Sequence, residues 1–243
     1  MDELEVAPGL WATREFGLWL KGEGTVAISD VHLGFEAALA EQGVSIPRFQ
    51  RREVLARLQR LLDRCRPERL VIAGDFKHEF SRNLTDEWVE IKQVLRFLRE
   101  RTEPVIVRGN HDNFLATILG DLRIPLHDRY DLGECTFVHG HEDVEALGTI
   151  VMGHEHPAVK LRDTLGATVS VPAFLVADRL VVLPAFSPLA LGVDVASYPY
   201  LSPILNRTDV DAARVIGIDE TEGLLDFGRV ADLQDEEASL LLR

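Results

Sequence analysis

Cysteine is scarce in this chain of 243 residues, which contains Cys65 and Cys135 and no other. Two cysteines are too few for the disulfide framework of a small secreted domain, and both lie far from the polar motifs described below. Cys135 alternates with apolar neighbours, so we expect a buried free thiol there. The scarcity argues against a disulfide-rich fold and against a zinc site built from thiolates.

Long apolar runs are also missing. The longest uncharged apolar stretch, 180–193, is interrupted by Pro184 and Pro188 and is too short to cross a bilayer. The residues Met1–Glu5 are acidic and lack the charged-then-apolar pattern of a signal peptide. We therefore expect a cytoplasmic protein without a membrane partner.

Positive charge is in deficit, because 26 Lys and Arg face 40 Asp and Glu and give a formal net charge of −14. This charge disfavours broad attraction to nucleic acid, but bound divalent ions would still allow a phosphoester substrate. One arginine-rich segment mostly opposes a leucine stripe, so we prefer a solvated helix face over nucleic-acid contact. Its members are Arg48, Arg51, Arg52, Arg57, Arg60, Arg64, Arg66 and Arg69.

Apolar periodicity predicts a first half in which strands and helices alternate, an order that favours a parallel sheet with helices outside. The predicted strands are Leu10–Ala12, Phe16–Leu20, Thr25–Ser29, Leu70–Ala73 and Val105–Val107. The predicted helices are Phe35–Gln42, Arg48–Cys65, Thr85–Leu98 and Asn113–Leu119.

The second half is mostly strand-like and has few intervening helices, which requires a second sheet. Its predicted strands are Arg129–Leu132, Thr136–Val138, Thr149–Met152, Ala158–Leu161, Ala167–Val171, Phe174–Ala177, Leu180–Leu183, Arg214–Ile218 and Gly223–Phe227.

Histidine is concentrated in five short motifs, which hold seven of the 8 histidines. Each motif directly follows an apolar run that predicts a buried strand, and strand ends are where open α/β sheets place their chemistry. Carboxylates, an amide and imidazoles suit hard-to-borderline divalent ions, and they are too many for one ion. The motifs are Asp30-Val31-His32, Gly74-Asp75-Phe76-Lys77-His78, Gly109-Asn110-His111-Asp112, His139-Gly140-His141 and Gly153-His154-Glu155-His156.

This ordered series resembles the calcineurin-like metallophosphoesterase superfamily, and the wording of 29–36 and 74–80 is similar to the small SbcD-related phosphoesterases. The resemblance implies an α/β (α+β) fold, a two-sheet β-sandwich flanked by helices, and phosphoester hydrolysis by a hydroxide that bridges two metal ions. We expect one metallophosphoesterase domain over 1–243 with its metal motifs in 30–156. Residues 157–231 would complete the second sheet, and 232–243 would form an acidic tail.

The same resemblance implies a set of ligands for two divalent ions, of which Mn²⁺ fits the mixed oxygen and nitrogen donors best, with Fe, Zn or Co as alternatives. Asp75 takes the bridging position. The ligands of one ion would be Asp30, His32 and His156, and those of the other Asn110, His139 and His154.

Four further residues have roles that the sequence leaves more open. His111 matches the family's non-ligand histidine, which contacts phosphoryl oxygens or protonates the leaving oxygen. Asp112 would position the loop or hold a histidine tautomer, with a turn residue as an equal alternative. His141 is an alternative ligand to His139, which directly follows its strand; otherwise it would support a ligand from behind.

His78 departs from the acidic residue that many superfamily members carry three positions after the bridging Asp, a variation shared with the SbcD-related nucleases. We interpret it as functional, either behind the ligands or as an alternative ligand. Glu36 and Lys77 belong to the sequence motifs of the subfamily, but no chemistry requires them. A position in the first turn of a helix explains Glu36, and a solvated side chain explains Lys77. His127 is expected to be a surface or packing residue.

The preferred function is a metal-dependent phosphodiesterase or nuclease that acts on nucleic acid or a nucleotide. The alternatives are a phosphomonoesterase or nucleotide hydrolase, which would use the same motifs, and a non-catalytic scaffold of this fold. Only 87 residues follow His156, and much of that segment is needed for the sandwich. The chain therefore gives no sign of an SbcC-like ATPase partner, and its oligomeric state stays open.

Overall fold

A computed structural model describes residues 1–81, 85–162 and 168–233 of the chain. Two mixed sheets are flanked by helices, which confirms the expected α/β sandwich. The strands of the first sheet are β1 (Glu3–Ala7), β2 (Leu10–Thr13), β3 (Leu18–Leu20), β4 (Thr25–Ile28), β5 (Arg69–Ala73), β6 (Glu103–Val107) and β7 (Leu126–His127). The helices are α1 (Phe35–Glu41), α2 (Gln50–Cys65), α3 (Thr85–Arg99), α4 (Leu115–Leu122) and α5 (Pro203–Asn206).

The first sheet keeps its strands in chain order from β1 to β7. Strands β1 to β4 are antiparallel neighbours, whereas β4 to β7 are parallel neighbours. Parallel neighbours need crossover connections, and helices occupy the connections between β4, β5, β6 and β7. The carboxyl ends of β4, β5 and β6 therefore meet at one edge of the sheet.

The second sheet has the strand order β14-β11-β12-β13-β10-β9-β8, and β15 pairs with both β12 and β16. Strand β10 lies parallel to β9 and to β13, so the motifs that follow β9 and β10 share an edge. Its strands are β8 (Tyr130–Leu132), β9 (Cys135–Phe137), β10 (Thr149–Met152), β11 (Pro157–Arg162), β12 (Thr168–Ala177), β13 (Leu180–Val182), β14 (Val193–Asp194), β15 (Arg214–Asp219) and β16 (Gly223–Arg229).

The larger apolar core joins both sheets and the helices that cover the first one. Helix α2 buries Val54, Leu58 and Leu61, whose spacing places them on one face. Phe137 and Phe174 bring the second sheet into the same core. A smaller core lies on the second sheet and α5. None of the described helices is both long and apolar enough to cross a membrane.

Three predicted strands differ from the structure for local reasons. The predicted strand Phe16–Leu20 begins only at Leu18, because Phe16 has φ of 67° in a tight turn closed by Thr13 and Gly17. The two predicted strands on either side of Pro172 are one strand, β12. Its first half pairs with β11 and its second half with β13 and β15, so Pro172 stands where the partners change.

Several elements escaped prediction because they are short or lack periodicity, namely β1, β7, β14 and α5. The start of the predicted strand Ala167–Val171 and nearly all of the predicted acidic tail 232–243 lie outside the described residues.

The interpretation of the arginine segment as a solvated face is wrong for Arg57. This side chain is buried, donates to the Phe186 carbonyl at 2.7 Å and pairs with Glu220 at 2.9 Å. Its guanidinium also lies over the Phe16 ring, 3.7 Å from the centroid. Arg57 therefore ties α2 to the second sheet, whereas Arg52, Arg60 and others of the segment are exposed.

Candidate metal centre

The structure brings the polar motifs together where the two sheets meet. Asp30 and His32 follow β4, Asp75 follows β5, and Asn110 follows β6. His139 follows β9, and the pair His154 and His156 lies between β10 and β11. The first sheet therefore supplies the carboxylates and the amide, and the second sheet supplies three of the imidazoles.

The backbone at these positions is unusual, because five of the clustered residues have positive φ. L-residues other than Gly, Asn and Asp rarely adopt this left-handed conformation, which costs free energy. In Asp30-Val31-His32 and in His154-Glu155-His156 the chain turns sharply at both polar residues, and this turn brings side chains two positions apart to one point. The values are 53° for Asp30, 48° for His32, 45° for Asp75, 71° for His154 and 48° for His156.

Two motif glycines are required by close approach. A Cβ on Gly109 would lie 2.0 Å from Oδ1 of Asp75, and one on Gly153 would lie 2.4 Å from Oδ2 of Asp30. Both carboxylates are buried and held by neighbouring backbone, so neither could move aside without disturbing the cluster.

Asp30, His32 and His156 form the first group of converging side chains. Nε2 of His156 lies 3.2 Å from Oδ1 of Asp30 and 3.2 Å from Nε2 of His32. The ligand atoms of the three residues all lie within 4.8 Å of one another. These three residues are those that the resemblance assigns to one ion.

Asn110, His139 and His154 form the second group. Nε2 of His139 lies 3.0 Å from Oδ1 of Asn110 and 3.2 Å from Nδ1 of His154. The other nitrogen of His139, Nδ1, lies 3.2 Å from the Ala73 carbonyl. A proton on Nδ1 can be donated to that carbonyl, which leaves the Nε2 lone pair free to bind a cation.

Asp75 lies between the two groups. Its Oδ2 is 3.3 Å from Nε2 of His139 in the second group and 3.9 Å from Nε2 of His32 in the first. Its Oδ1 accepts a hydrogen bond from the His111 backbone N–H at 2.9 Å. One oxygen of Asp75 thus faces both groups while the other is fixed by the loop.

The charge balance of the cluster fits cations. Burial would raise the pKa of Asp30 and of Asp75, but hydrogen bonds and charge from His156 and His139 outweigh it and lower both. Burial would lower the pKa of His139, yet contact with Asp75 and Asp30 raises it to about 9. Among the described residues, neither carboxylate pairs with Lys or Arg. Protons on histidine therefore balance charge that divalent ions could balance instead.

Two other imidazoles of the groups, those of His32 and His154, are held neutral. Burial lowers the pKa of His32 to about 3 and that of His154 to about 4. Neutral imidazole is the form that binds a metal. Nδ1 of His32 is buried and has no hydrogen-bond partner among the described residues. The donor set therefore fits divalent ions in number and chemical type.

His111 and His78 lie beside the first group. Nδ1 of His111 contacts the His78 carbonyl, and its Nε2 lies 4.0 Å from Oδ2 of Asp75. The His78 ring stacks on Phe35, with centroids 3.9 Å apart. Ligand atoms of His32, His78 and His111 also lie within 4.8 Å of one another. The two residues thus border the cluster from one side.

His141 and His127 are placed differently. His141 lies next to the second group, with its ring centroid 5.3 Å from that of His139. Its Nδ1 is buried and has no hydrogen-bond partner among the described residues. His139 occupies the central position. His127 lies in β7, and its ring contacts Tyr130 away from the cluster.

Asp112 is fully buried, and its carboxylate accepts hydrogen bonds from three backbone N–H groups. Its Oδ1 accepts from Phe76 at 3.0 Å and from Lys77 at 3.1 Å, and its Oδ2 accepts from Gly109 at 2.8 Å. The carboxylate therefore joins the loop that carries Asp75 to the loop that carries Asn110. This placement is that of a loop-positioning residue. Burial raises the pKa of Asp112 to about 6.

A second buried carboxylate holds the same loop from α3. Oε1 of Glu87 accepts from the backbone of His78 at 3.1 Å and of Glu79 at 2.9 Å. Its Oε2 lies 3.5 Å from Nζ of Lys77, and both side chains are fully buried. The interpretation of Lys77 as a solvated lysine is therefore wrong. Helical periodicity could not identify Glu87 as a supporting residue, because its partners lie in a loop.

A third support comes from the unpredicted helix α5. Glu155, between the two histidines of its motif, accepts from Leu201 at 3.1 Å and from Ser202 at 3.0 Å. Ser202 caps α5 and donates through Oγ to the Gly140 carbonyl at 2.6 Å. The start of α5 thus links the motif after β9 to the motif after β10. No local sequence pattern joins these distant positions.

A sandwich whose two sheets converge on such a cluster is the architecture of metal-dependent phosphoesterases. The family model for calcineurin-like phosphoesterases matches residues 25–213, and the chain belongs to that family. This membership confirms the resemblance found in the motifs. The clusters of buried carboxylates and histidines agree with the metal dependence of the family.

One solved structure supports the fold. The crystal structure of nuclease MPE from Pseudomonas putida has a TM-score of 0.67 and 23% identity, and the match covers 92% of this chain and 99% of that one. The phosphoesterase Yfce from E. coli has a TM-score of 0.41 and 18% identity, with 80% and 87% covered. No match is found among curated protein sequences.

Proposed function

We propose that the chain is a phosphodiesterase of nuclease type that uses two divalent metal ions. The placement of Asp75 carries this proposal, because one of its oxygens lies within 4 Å of an imidazole in each group. Sharing one carboxylate between two ions is what a two-metal centre requires. When bound, the ions would polarise the phosphoryl group and lower the pKa of a water molecule.

Each residue of the cluster then has a definite role. Asp30, His32 and His156 would hold one ion, and Asn110, His139 and His154 would hold the other. Asp75 is common to both. The Ala73 carbonyl holds His139 in one tautomer. Asp112 and Glu87 hold the loop after β5 through its backbone N–H groups. Mn²⁺ is our preferred ion, because it accepts carboxylate, amide and imidazole donors together, and Fe, Zn and Co are the alternatives.

His111 handles the substrate. Its Nδ1 contacts the His78 carbonyl, which can only accept a hydrogen bond, so Nδ1 is the donor. The other ring nitrogen, Nε2, lies 4.0 Å from Oδ2 of Asp75, the oxygen that faces both groups. In the doubly protonated ring this nitrogen donates to a phosphoryl oxygen or to the leaving oxygen.

The charge of the centre favours a diester over a monoester. A phosphodiester has one negative charge, whereas a monoester near neutral pH has about two. No Lys or Arg pairs with Asp30 or Asp75 in the described part of the chain, so the ions alone would balance the substrate. A chain with net charge −14 adds general repulsion for dianions.

A substrate panel tests the proposal. Purified protein loaded with Mn²⁺ should hydrolyse a bis-aryl phosphodiester faster than an aryl phosphomonoester, and single-stranded DNA or RNA faster than duplex DNA. His139→Ala should abolish this hydrolysis, whereas His127→Ala, which changes a histidine outside the cluster, should not. A preference for the monoester would make the protein a phosphomonoesterase, and no hydrolysis with full metal occupancy would make it a scaffold.

A further inference from the structure

Two exposed phenylalanines lie near His111, Phe80 in contact with its ring and Phe114 close to it along the chain, and the proposed chemistry does not use them. The Phe80 side chain is 57% exposed, and its ring meets the His111 ring edge-on with centroids 5.8 Å apart. Phe114 is 54% exposed and lies in the same loop as His111, three residues further on. One aromatic ring therefore comes from each of the two loops that carry His78 and His111.

The fold gives no reason for exposing these two rings. Five other phenylalanines are buried in the core, including Phe76 in the same loop as Phe80. Phe114 adopts φ of 67° directly before α4, and its side chain makes no capping hydrogen bond. A glycine or asparagine would suit that conformation better. Exposed apolar side chains and strained backbone beside an active centre indicate a binding role.

We propose that Phe80 and Phe114 form an aromatic rim that stacks on the nucleobases next to the scissile phosphate of a single-stranded nucleic acid. This inference rests on the proposed phosphodiesterase function. Phe80 contacts the His111 ring, so a phosphoester whose oxygen meets Nε2 of His111 would have Phe80 within reach of one of its ester groups. Every nucleobase has a flat π-face, and aromatic side chains bind such faces without regard to sequence.

Charge supports a strand held by its bases. The net charge of −14 disfavours attraction to backbone phosphates. Duplex DNA hides its base faces, so a stacking rim can use only unpaired bases. The rim therefore commits the substrate to a single strand, and it places recognition beside the centre rather than on the arginine segment.

Binding of a fluorescent strand tests the rim directly. The probe is single-stranded DNA with phosphorothioate linkages that resist cleavage and one 2-aminopurine, whose fluorescence falls on stacking. Phe80→Ala and Phe114→Ala in the metal-loaded protein should each raise the Kd on the order of 10-fold and reduce the quenching. Phe80→Tyr and Phe114→Tyr keep the ring and should bind like the wild type.

Leu147→Ala is the matched control, because Leu147 is 99% exposed and precedes β10 at the opposite edge of the sheet. It should not change the Kd. A strand with abasic sites should bind the wild type as weakly as the intact strand binds the alanine variants. Equal binding of intact and abasic strands by the wild type, or unchanged binding by both alanine variants, would overturn the rim. A wild type that cleaves a monoester but binds no strand would instead overturn the phosphodiesterase proposal.

Discussion

At the scale of single residues, Asp75 has more influence on the centre than any other side chain, because one of its oxygens faces both groups. Asp75→Asn keeps the size of the side chain but removes its charge. We expect hydrolysis to be abolished and both ions to bind more weakly, because an amide cannot bridge two cations as a carboxylate does. Metal content after dialysis, measured by mass spectrometry, should fall from about two ions per chain to less than one.

Asp128→Asn is a suitable control, because Asp128 is exposed, pairs with Arg108 and is none of the proposed ligands. It should keep full metal content. An Asp75→Asn protein with two tightly held ions and normal turnover would show that Asp75 does not bridge.

His111 should separate catalysis from metal binding. His111→Ala removes the ring nitrogen near Oδ2 of Asp75 but none of the proposed ligands. The rate should fall on the order of 10²–10⁴-fold while metal content stays unchanged. Steady-state kinetics and metal analysis on the same sample provide the measurement. Loss of an ion would make His111 a ligand together with His32 and His78, and the ligand assignment would have to change.

Much of the cluster could be predicted from single residues, because a polar side chain directly after a buried strand can lie only at a sheet edge. Asp30, Asp75 and His139 follow this rule. The positive φ values at His32 and His156 could not be predicted, because neighbouring residues and not the side chain itself stabilise that backbone. The same holds for the contacts of Asp112, which depend on where two separate loops meet.

At the scale of elements, α3 supports the loop of His78 through the buried pair of Lys77 and Glu87. Glu87→Gln keeps an oxygen for the backbone N–H groups but removes the buried carboxylate charge that faces Lys77. Removing one partner of a buried ion pair costs about 3–5 kcal/mol, so the free energy of unfolding should fall by about that amount. Urea unfolding followed by circular dichroism measures the change.

Glu100→Gln, beyond the end of α3 at an exposed position, should have little effect on stability. The double variant Lys77→Met with Glu87→Gln removes both charges and should recover part of the loss, which a double-mutant cycle detects. Additive losses would show that the two side chains do not stabilise each other.

The boundaries of an element could be predicted where one face of it is buried. They could not be predicted where contacts with distant residues determine them. Helix α2 was predicted within two residues of its observed start because Val54, Leu58 and Leu61 mark a face. Helix α5 has only four residues and depends on Glu155 and Gly140, which lie far away in sequence. Strands as short as β7 and β14 exist because neighbouring strands pair with them, and two residues carry no periodicity.

At the scale of the whole molecule, the charge of −14 predicts weak dependence of strand binding on salt. Each neutralised phosphate of a single strand adds about −0.7 to the slope of log K against log salt. A chain that holds bases and few phosphates should therefore show a slope shallower than about −2. Titration of a single strand at several salt concentrations gives the slope.

The arginine segment supplies the matched variant for this test. Arg52, Arg60 and Arg66 are exposed, whereas Arg57 is buried and its reversal would disturb the fold. Reversing the three exposed arginines to Glu should leave both the Kd and the slope unchanged. A large loss of affinity together with a flatter slope would assign nucleic-acid contact to this segment.

Because the two sheets share one centre, the rate of hydrolysis should depend on how the sheets are positioned relative to each other. Neither sheet holds a complete set, since His139 must reach Asn110 and His156 must reach Asp30 across the join. A sub-ångström slip would leave every strand intact and still separate the two halves of each group. In a urea titration we expect turnover to disappear before far-UV ellipticity does, and coincident transitions would show that the sheets come apart only when they melt.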